Sequence, residues 1–361
     1  MAENTSVILE RLRFQKPQIN LARSTAARMW LVNICAFLAI VQSSLGDSYS
    51  SMIVAAGAVA AAVLTEFLIL FKSGRVRALK DGSAVASALI LTLLLPNRIF
   101  PLYAAAGAVF AMAVIKHSFG GLGSNWLNPA AGGWLFIRLS WPASFSRALE
   151  SSPLSLLSES INRGVSNPEG SPLGILKIDA AGLFPAATHL DNTLGSLLNK
   201  TVFSFAGAEL PGGYLDLFAS PFTGIIADRG VFFLLLGTII ITACQASRSW
   251  VPAVYLGVFC ILVRFAGALP YGGELWKGDV LFALCSGGTL AAAFFLFSDP
   301  ATGAKSNGGL FFAAAAGGGV AFLFRYYGGE PYGAVFAVVF INAMLPLIRV
   351  FEGSRLYGRY S

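Results

Sequence analysis

The stretch from Ser51 to Phe71 reads SMIVAAGAVAAAVLTEFLILF and carries one charged side chain, Glu66. A straight helix needs about 20 largely apolar residues to cross the hydrocarbon core of a bilayer. This stretch is therefore typical of a transmembrane helix. The whole chain is 56% hydrophobic and 12% charged, whereas soluble domains average roughly 25% charged residues. The composition excludes a soluble globular protein and predicts an all-α membrane protein.

Nine further apolar runs are separated by polar or Gly/Pro-rich connections, which are short except for the one that contains residues 142–229. They are Met29–Leu45, Gly82–Leu95, Pro101–Ile115, Pro129–Leu139, Val231–Cys244, Val251–Leu269, Val280–Phe297, Leu310–Phe324 and Gly333–Ile348. We therefore predict a polytopic protein with about ten transmembrane helices. Several runs are too short for a full crossing, so we expect broken helices whose ends face protein or a water-filled cavity.

The charges of the connecting segments predict the topology. Basic residues are concentrated in the N-terminal segment 1–28, between the second and third runs, and in the tail 349–361. The positive-inside rule assigns these segments, and both termini, to the cytoplasm. Residues 142–229 then form one large, more acidic extracytoplasmic loop between a first membrane half, 29–141, and a second, 230–348. The net charge of +7 reflects this topology, and we expect no nucleic-acid binding.

An internal repeat is visible in the polar punctuation of the two halves. The first half has Lys80-Asp81-Gly82, Pro96-Asn97 and Gly120-Gly121, and the second has Lys277-Gly278-Asp279, Asp299-Pro300 and Gly328-Gly329. Equivalent positions are offset by an odd number of predicted spans, so the repeats should be inverted in the membrane. Inverted repeats with interrupted helices place a binding site near the bilayer midplane. The alternative is chance similarity between glycine-rich membrane helices.

Polar residues in or beside the apolar runs are candidates for function. Glu66 and Arg264 lie inside runs, where charges usually pair or line a pathway, and Asp81 stands at the start of another. We consider these three as ion-pathway candidates. Asn125 and Asn128, in a glycine-rich turn, are candidates for holding a cofactor or cation through their amide groups. The competing interpretations are a structural ion pair, interfacial snorkelling, and helix capping.

Several classes of site are excluded by what the sequence lacks. The four cysteines form no C-x-x-C pair, and the chain has two histidines, so we expect neither an iron–sulfur cluster nor a metal centre built by this chain. No Walker loop and no strand-associated G-x-G-x-x-G motif occurs. We therefore expect no catalytic residues that act without partner subunits.

Several motifs together resemble one protein family. They are Lys80–Val85, Phe119–Asn125, Asn128–Ala130, Ser298–Pro300, Gly328–Gly333 and Ile341–Met344. This pattern resembles the D subunit of Rnf-type ion-translocating electron transport complexes, which is related to the B subunit of the sodium-pumping NADH:quinone oxidoreductase. The resemblance extends over most of the chain, from Lys80 to Ile348.

The resemblance implies a flavoprotein subunit of the cell inner membrane that relays electrons and couples their transfer to Na⁺ or H⁺ movement. It implies FMN attached through a phosphoester bond to Thr188, in the sequence Phe184-Pro185-Ala186-Ala187-Thr188-His189-Leu190 of the long loop. A second, non-covalent flavin is a further expectation, with Asn125, Asn128 and Asp299 as candidate contacts. Expected partners are an NADH- or ferredoxin-oxidising cytoplasmic subunit, the other complex subunits, a flavin transferase and membrane lipid.

Two alternatives remain at the level of sequence. Thr188 can be an ordinary loop hydroxyl without a cofactor. The protein can also be a stand-alone channel or secondary transporter, because broken helices in two repeats also describe solute permeases. In that case no flavin is expected.

Overall fold

The computed structural model describes residues 24–45, 50–149, 189–204, 215, 218, 224–244, 248–271, 274–299, 301–304 and 306–357. Every regular element within these ranges is helical. Thr188 and most of the predicted loop 142–229 lie outside the described residues.

The helices of the first half follow one another closely along the chain. They are α1 (Thr25–Leu45), α2 (Ser50–Lys72), α3 (Ser83–Leu94), α4 (Pro101–Phe110, continuing as a π-helical segment Ala111–His117), α5 (Pro129–Ser140) and α6 (Pro142–Leu149). A 3₁₀ helix, Val76–Asp81, connects α2 to α3. Each predicted span before residue 142 therefore corresponds to a helix.

The second part begins within the predicted loop. Its helices are α7 (His189–Leu198, continuing as Asn199–Phe203), α8 (Ile226–Arg229), α9 (Val231–Ala243), α10 (Trp250–Ala266), α11 (Val280–Leu284), α12 (Thr289–Ala291, continuing as Ala292–Phe297), α13 (Asn307–Phe322, continuing as Leu323–Tyr327) and α14 (Gly333–Tyr357). The continuations after α7, α12 and α13 are π-helical.

Four helical segments are long and apolar enough to cross a membrane: Thr25–Leu45, Ser50–Lys72, Asn307–Tyr327 and Gly333–Val350. Shorter apolar helices lie between them, including Ser83–Leu94, Pro101–His117, Val231–Ala243 and Trp250–Ala266. Large apolar side chains such as Leu68, Ile239 and Phe312 are exposed on the outer surfaces of the helices, as expected for contact with lipid. The prediction of a polytopic helical membrane protein is confirmed.

The predicted span Val280–Phe297 is not one helix, because the chain leaves helical conformation between α11 and α12. Gly287 and Gly288 have φ angles of 70° and 65°, in the left-handed region that glycine adopts without steric cost. Their backbone N–H groups donate to the two carboxylate oxygens of Asp228, both at 2.8 Å. The carboxylate thus satisfies donors that the helix break leaves unpaired.

Close packing of helices depends on glycine at the crossing points. A Cβ atom on Gly133 of α5 would lie 2.7 Å from the carbonyl oxygen of Gly107 in α4. A Cβ atom on Gly318 of α13 would lie 2.5 Å from the carbonyl oxygen of Tyr255 in α10. Small residues at such interfaces let helix backbones approach closely, and the van der Waals packing that results helps to drive helix association in lipid.

Helix α3 runs between two polar regions at opposite ends of the bundle. At its start, the side chain of Asn33 in α1 donates to the Gly82 carbonyl at 3.0 Å. At its end, the backbone N–H of Ile226 donates to the Leu95 carbonyl at 3.0 Å, next to Asp228 and the break between α11 and α12. We call the region around Asn33 and Gly82 the α3-start end, and the region around Leu95 and Asp228 the α3-end end. The twelve residues of α3 separate the two regions by about 18 Å.

Candidate functional site

A cavity of about 340 Å³ lies at the α3-start end, between helices of both halves. Its polar wall is formed by Arg28, Ser83, Ser87, Lys116, Asn125, Asn128, Ser298 and Asp299. Its apolar wall is formed by Met29, Val32, Ile90, Leu122, Ile241, Phe294 and Phe295. Pockets that hold organic ligands are mostly apolar, with a few convergent polar groups that fix orientation, and this cavity has that character.

Asn128 connects the two halves at the cavity. Its Oδ1 caps helix α5 by accepting hydrogen bonds from the backbone N–H groups of Ala130, at 3.0 Å, and Ala131, at 3.4 Å. Its Nδ2 donates to Asp299 Oδ2 at 3.1 Å. The capping role and the link to the second half therefore use different atoms of one side chain.

Asp299 follows the π-helical segment after α12 and organises the next turn. Its Oδ1 accepts from the backbone N–H of Ala301 at 3.0 Å, and its Oδ2 accepts from the Thr302 hydroxyl at 3.2 Å. Removal from water raises the pKa of this carboxyl group above its ordinary value, while these hydrogen bonds and that from Asn128 act in the opposite direction. Asp299 thus contributes a buried carboxyl group that accepts hydrogen bonds from three neutral donors beside the cavity.

Asn125 carries an unsatisfied buried acceptor at the same cavity. It stands in the turn after α4, where Gly120, Gly121 and Gly123 have φ angles of 108°, 92° and 95°. The residue is 3% exposed, and its Oδ1 has no hydrogen-bond partner within the described part of the chain. A buried polar atom without a partner costs about 1–3 kcal/mol. A cavity ligand with a hydrogen-bond donor would remove this cost.

A buried charge cluster beside the cavity was not predicted as a unit. Lys116, which was not among the candidates predicted from the sequence, is 2% exposed and donates to Glu66 Oε1. It also donates to Ser83 Oγ at 2.6 Å, and Ser83 Oγ donates to Asp81 Oδ1 at 2.6 Å. Two ion-pathway candidates, Glu66 and Asp81, are thus joined through Lys116 and Ser83.

A second buried cation lies at the α3-end end. Arg325 is 1% exposed, and its Nη1 donates to the carbonyls of Ala283 and Ser286 at 2.7 and 2.8 Å and to Thr289 Oγ1 at 2.9 Å. Its Nη2 donates to Ser286 Oγ. Arg325 therefore satisfies the acceptors that the break between α11 and α12 exposes.

Lys116 and Arg325 both lie near the end of a helix, shortly before a Gly-Gly pair. Each lies in a π-helical segment, Ala111–His117 or Leu323–Tyr327, that precedes a Gly-Gly pair. Insertions of this kind are frequent at functional sites. In the sequence, a basic residue shortly before a Gly-Gly pair was the signal that could have indicated these two buried cations. Their hydrogen-bond partners are identified only by the fold.

Arg264 does not line the cavity. Arg264 is exposed at the end of α10 and donates to the Gly278 carbonyl at 3.3 Å, so it does not join Glu66 or Asp81. Thr188 lies outside the described residues, so its position relative to the cavity is not described. The structure thus brings Asn125, Asn128 and Asp299 together at one cavity.

Comparison with known proteins gives a match over nearly the whole chain. The family described as NQR2, RnfD, RnfE matches residues 13–358. The D subunit of the proton-translocating ferredoxin:NAD(+) oxidoreductase complex of Clostridium ljungdahlii is 28% identical, over 95% of this chain and 94% of that protein. The D subunit of the ion-translocating oxidoreductase complex of Vibrio cholerae serotype O1 is 29% identical, over 95% and 97%.

A third relative differs in the ion that its name gives. The D subunit of the Na(+)-translocating ferredoxin:NAD(+) oxidoreductase complex of Acetobacterium woodii is 27% identical, over 95% of this chain and 93% of that protein. The Clostridium ljungdahlii relative is named for protons. Relatives of nearly equal similarity thus carry different ion names, so similarity alone does not assign the ion here.

Proposed function

Because the chain belongs to the NQR2, RnfD, RnfE family, we propose that it is the membrane subunit of a redox-driven, ion-translocating oxidoreductase complex. In this role it relays electrons through flavin and couples their transfer to Na⁺ or H⁺ movement. The observation that carries this proposal is the cavity where Asn125, Asn128 and Asp299 converge from both halves.

The first flavin is FMN attached covalently to Thr188. Support comes from Ala187-Thr188 and Leu190, which match the Ala-Thr pair and the following Leu of the family attachment sequence Asp-Gly-x-Ser-Gly-Ala-Thr-Pro-Leu. Pro185-Ala186 stands where that sequence has Ser-Gly. Alanine presents little bulk, so a flavin transferase can approach the hydroxyl. The site faces the outside if residues 142–229 are extracytoplasmic, as the distribution of basic residues predicts.

The second flavin is non-covalent and occupies the cavity. The residues fit such a group: Asn125 Oδ1 is a buried acceptor without a described partner, Ser83 and Lys116 supply polar contacts, and Phe294 and Phe295 line the apolar wall. A bound flavin would supply the redox chemistry. The protein would orient it through Asn125 and Asn128 and limit its access to water.

The topology consists of two inverted repeats with both termini in the cytoplasm of a bacterial cell, in the inner membrane. Supporting this, Lys116 and Arg325 both lie in π-helical segments that precede Gly-Gly pairs, yet they lie at the α3-start and α3-end ends respectively. Inversion of the second repeat accounts for the same local arrangement at opposite ends. The α3-start end is then cytoplasmic and the α3-end end faces outward.

The chain requires partners, because the sequence offers no nicotinamide-binding motif and no iron–sulfur ligands. A cytoplasmic subunit that oxidises NADH or ferredoxin supplies the electrons, and the other membrane subunits complete the complex. Glu66 and Asp81 are the remaining ion-pathway candidates near the cavity, through their contacts with Lys116 and Ser83. Arg264 is the weakest ion-pathway candidate, because its side chain is exposed and makes no contact with Glu66 or Asp81.

Mass spectrometry of the purified complex tests this function against that of a stand-alone channel or transporter. We expect an FMN adduct on the peptide containing Thr188, absent in Thr188→Ala, together with a flavin released from wild-type complex on denaturation. Thr193→Ala, five residues further along, is the matched control and should keep the adduct. A complex made together with its flavin transferase that contains neither flavin would support the transporter instead.

A further inference from the structure

The geometry points to a proton relay in which His117, Glu66 and Lys116 connect the surface at the α3-start end to the cavity, with Lys116 as the terminal donor. This inference rests on the proposed function in one respect: the proton acceptor is the redox group in the cavity. The relay itself is argued from the contacts of the three side chains.

Lys116 is positioned to deliver a proton. Its residue lines the cavity, while its Nζ donates to Glu66 Oε1 and to Ser83 Oγ. An ammonium group has three N–H donors, so these two contacts leave one donor for a cavity ligand. Ser83 donates its own proton to Asp81, which keeps the lone pairs of Ser83 Oγ directed at Lys116.

Glu66 lies between the other two members of the relay, because its Oε1 faces both Lys116 and His117. Lys116 Nζ donates to Oε1, and His117 Nε2 lies 3.3 Å from the same Oε1. The other oxygen, Oε2, is buried and has no hydrogen-bond partner among the described residues. A carboxylate held for structure alone would normally have both oxygens satisfied.

His117 connects this pair to the protein surface. Its side chain is 14% exposed, compared with 2% for that of Lys116 and 4% for that of Glu66. Within the described residues its Nε2 makes no hydrogen bond, although it faces Glu66. Histidine is the side chain whose protonation changes most readily near neutral pH. His117 is therefore placed to take protons from water and pass them inward.

The proton balance closes over the three groups. Lys116 Nζ gives one proton to a basic atom of the cavity ligand and becomes a neutral amine. Protonated His117 transfers its Nε2 proton to Glu66 Oε1, and Glu66 passes that proton to Lys116 Nζ. The vacant Nε2 of neutral His117 is buried against Glu66, so the ring must rotate to bring this nitrogen to the exposed side before it takes a proton from water. One proton has moved from solution to the cavity, and no electron moves through the relay.

Charges from each neighbouring element act on this relay. Lys116 and His117 come from the end of α4, Glu66 from α2, and Asp81 from the 3₁₀ helix before α3, while Arg28 and Asp299 face the cavity from α1 and from the second half. A purely structural role explains the buried Glu66–Lys116 pair poorly, because burying an ion pair often gives no net stability. A proton-transfer role explains why the pair adjoins both a histidine and a cavity.

The first test measures proton uptake by the intact complex after flash photoreduction, with a pH-indicator dye. In His117→Ala we expect uptake to slow roughly 100-fold, the lower limit for loss of a positioned proton-transfer group, and added imidazole to restore it. Glu66→Gln should be slowed without rescue by imidazole. Wild-type uptake rates in His117→Ala or in Glu66→Gln would overturn the relay.

Lys72→Met is the matched control for Lys116→Met, because Lys72 is exposed at the end of the helix that carries Glu66. Lys72→Met should take up protons at the wild-type rate, and Lys116→Met should not. Flavin content is measured in every sample. A wild-type complex that releases no non-covalent flavin contradicts the proposed cofactor, and the second test then decides the relay.

The second test needs no flavin. Dicyclohexylcarbodiimide modifies protonated carboxyl groups in apolar surroundings, and mass spectrometry quantifies the adduct on Glu66. In Lys116→Met, loss of the ammonium partner should leave Glu66 protonated, so labelling should increase severalfold over wild type and over Lys72→Met. Equal labelling in all three would show that the Lys116 ammonium group does not control the protonation state of Glu66 and would overturn the relay.

Discussion

Asn128 donates a hydrogen bond to Asp299 at 3.1 Å, across 171 positions of the chain. The bond joins the cap of α5 in the first half to the turn after α12 in the second half. Both residues line the cavity. The floor of the candidate flavin site is therefore assembled only when both halves have folded and packed.

Removing this link should empty the cavity without unfolding the protein. Asn128→Leu loses both the cap of α5 and the donor to Asp299, and loss of a cap costs about 0.5–2 kcal/mol. Asn128→Ser keeps a capping oxygen but cannot reach Asp299 in the same way. We expect both variants to lose non-covalent flavin and electron transfer while Thr188 stays modified, as measured by flavin release and adduct mass. Normal flavin content in both would assign Asn128 to the scaffold.

Packing of α10 against α13 predicts a sharp difference between adjacent glycines. A Cβ on Gly318 would lie 2.5 Å from the Tyr255 carbonyl, whereas a Cβ on Gly319 would lie 3.9 Å from the nearest atom, in Leu262. Gly318→Ala should destabilise the protein by about 1–3 kcal/mol, as expected for overpacking. Gly319→Ala should be neutral or slightly stabilising. Thermal unfolding in detergent measures both, and equal midpoints would contradict this packing.

Arg325 should be required for stability at the helix break. Arg325→Met removes the Nη1 donor shared by the carbonyls of Ala283 and Ser286. The Thr289 hydroxyl, their other donor, can serve only one of them at a time, so at least one acceptor becomes unsatisfied, at about 1–3 kcal/mol. Arg325→Lys keeps the charge but loses the planar fork of donors, so an intermediate effect is expected. The exposed Arg248→Met serves as control. The yield of folded protein, measured by size-exclusion chromatography, reports the loss of stability. A wild-type yield for Arg325→Met would show that Arg325 is not required for stability.

Topology can be tested by cysteine labelling in a background without the four native cysteines. Ser306 is a poor reporter because its hydroxyl donates to Glu352 Oε1 at 2.5 Å, so the exposed Asn307 is preferable. We expect a membrane-impermeant maleimide added to intact cells to label Ser151→Cys and not Asn307→Cys, because basic segments stay in the cytoplasm. Labelling of both from outside would contradict the proposed inverted topology.

Most helix positions could be predicted from the sequence, because a lipid environment restricts which backbone structures are stable. A buried backbone in hydrocarbon must satisfy its own hydrogen bonds, so long apolar runs become helices. The predicted Ser51–Phe71 run is the helix Ser50–Lys72, and Pro129–Leu139 is the helix Pro129–Ser140. The break within Val280–Phe297 was missed, because it depends on Asp228, more than 50 residues away, accepting hydrogen bonds from Gly287 and Gly288.

The composition and order of apolar runs determined by themselves that this chain is a helical membrane protein, since no soluble core can bury so much apolar surface. The motifs also drew attention to Asn125, Asn128 and Asp299. Only the tertiary structure decided that these three share one cavity and that Glu66 pairs with Lys116. The physical reason is that hydropathy is a local property of the chain, whereas the partner of a buried charge is chosen by helix packing between distant segments.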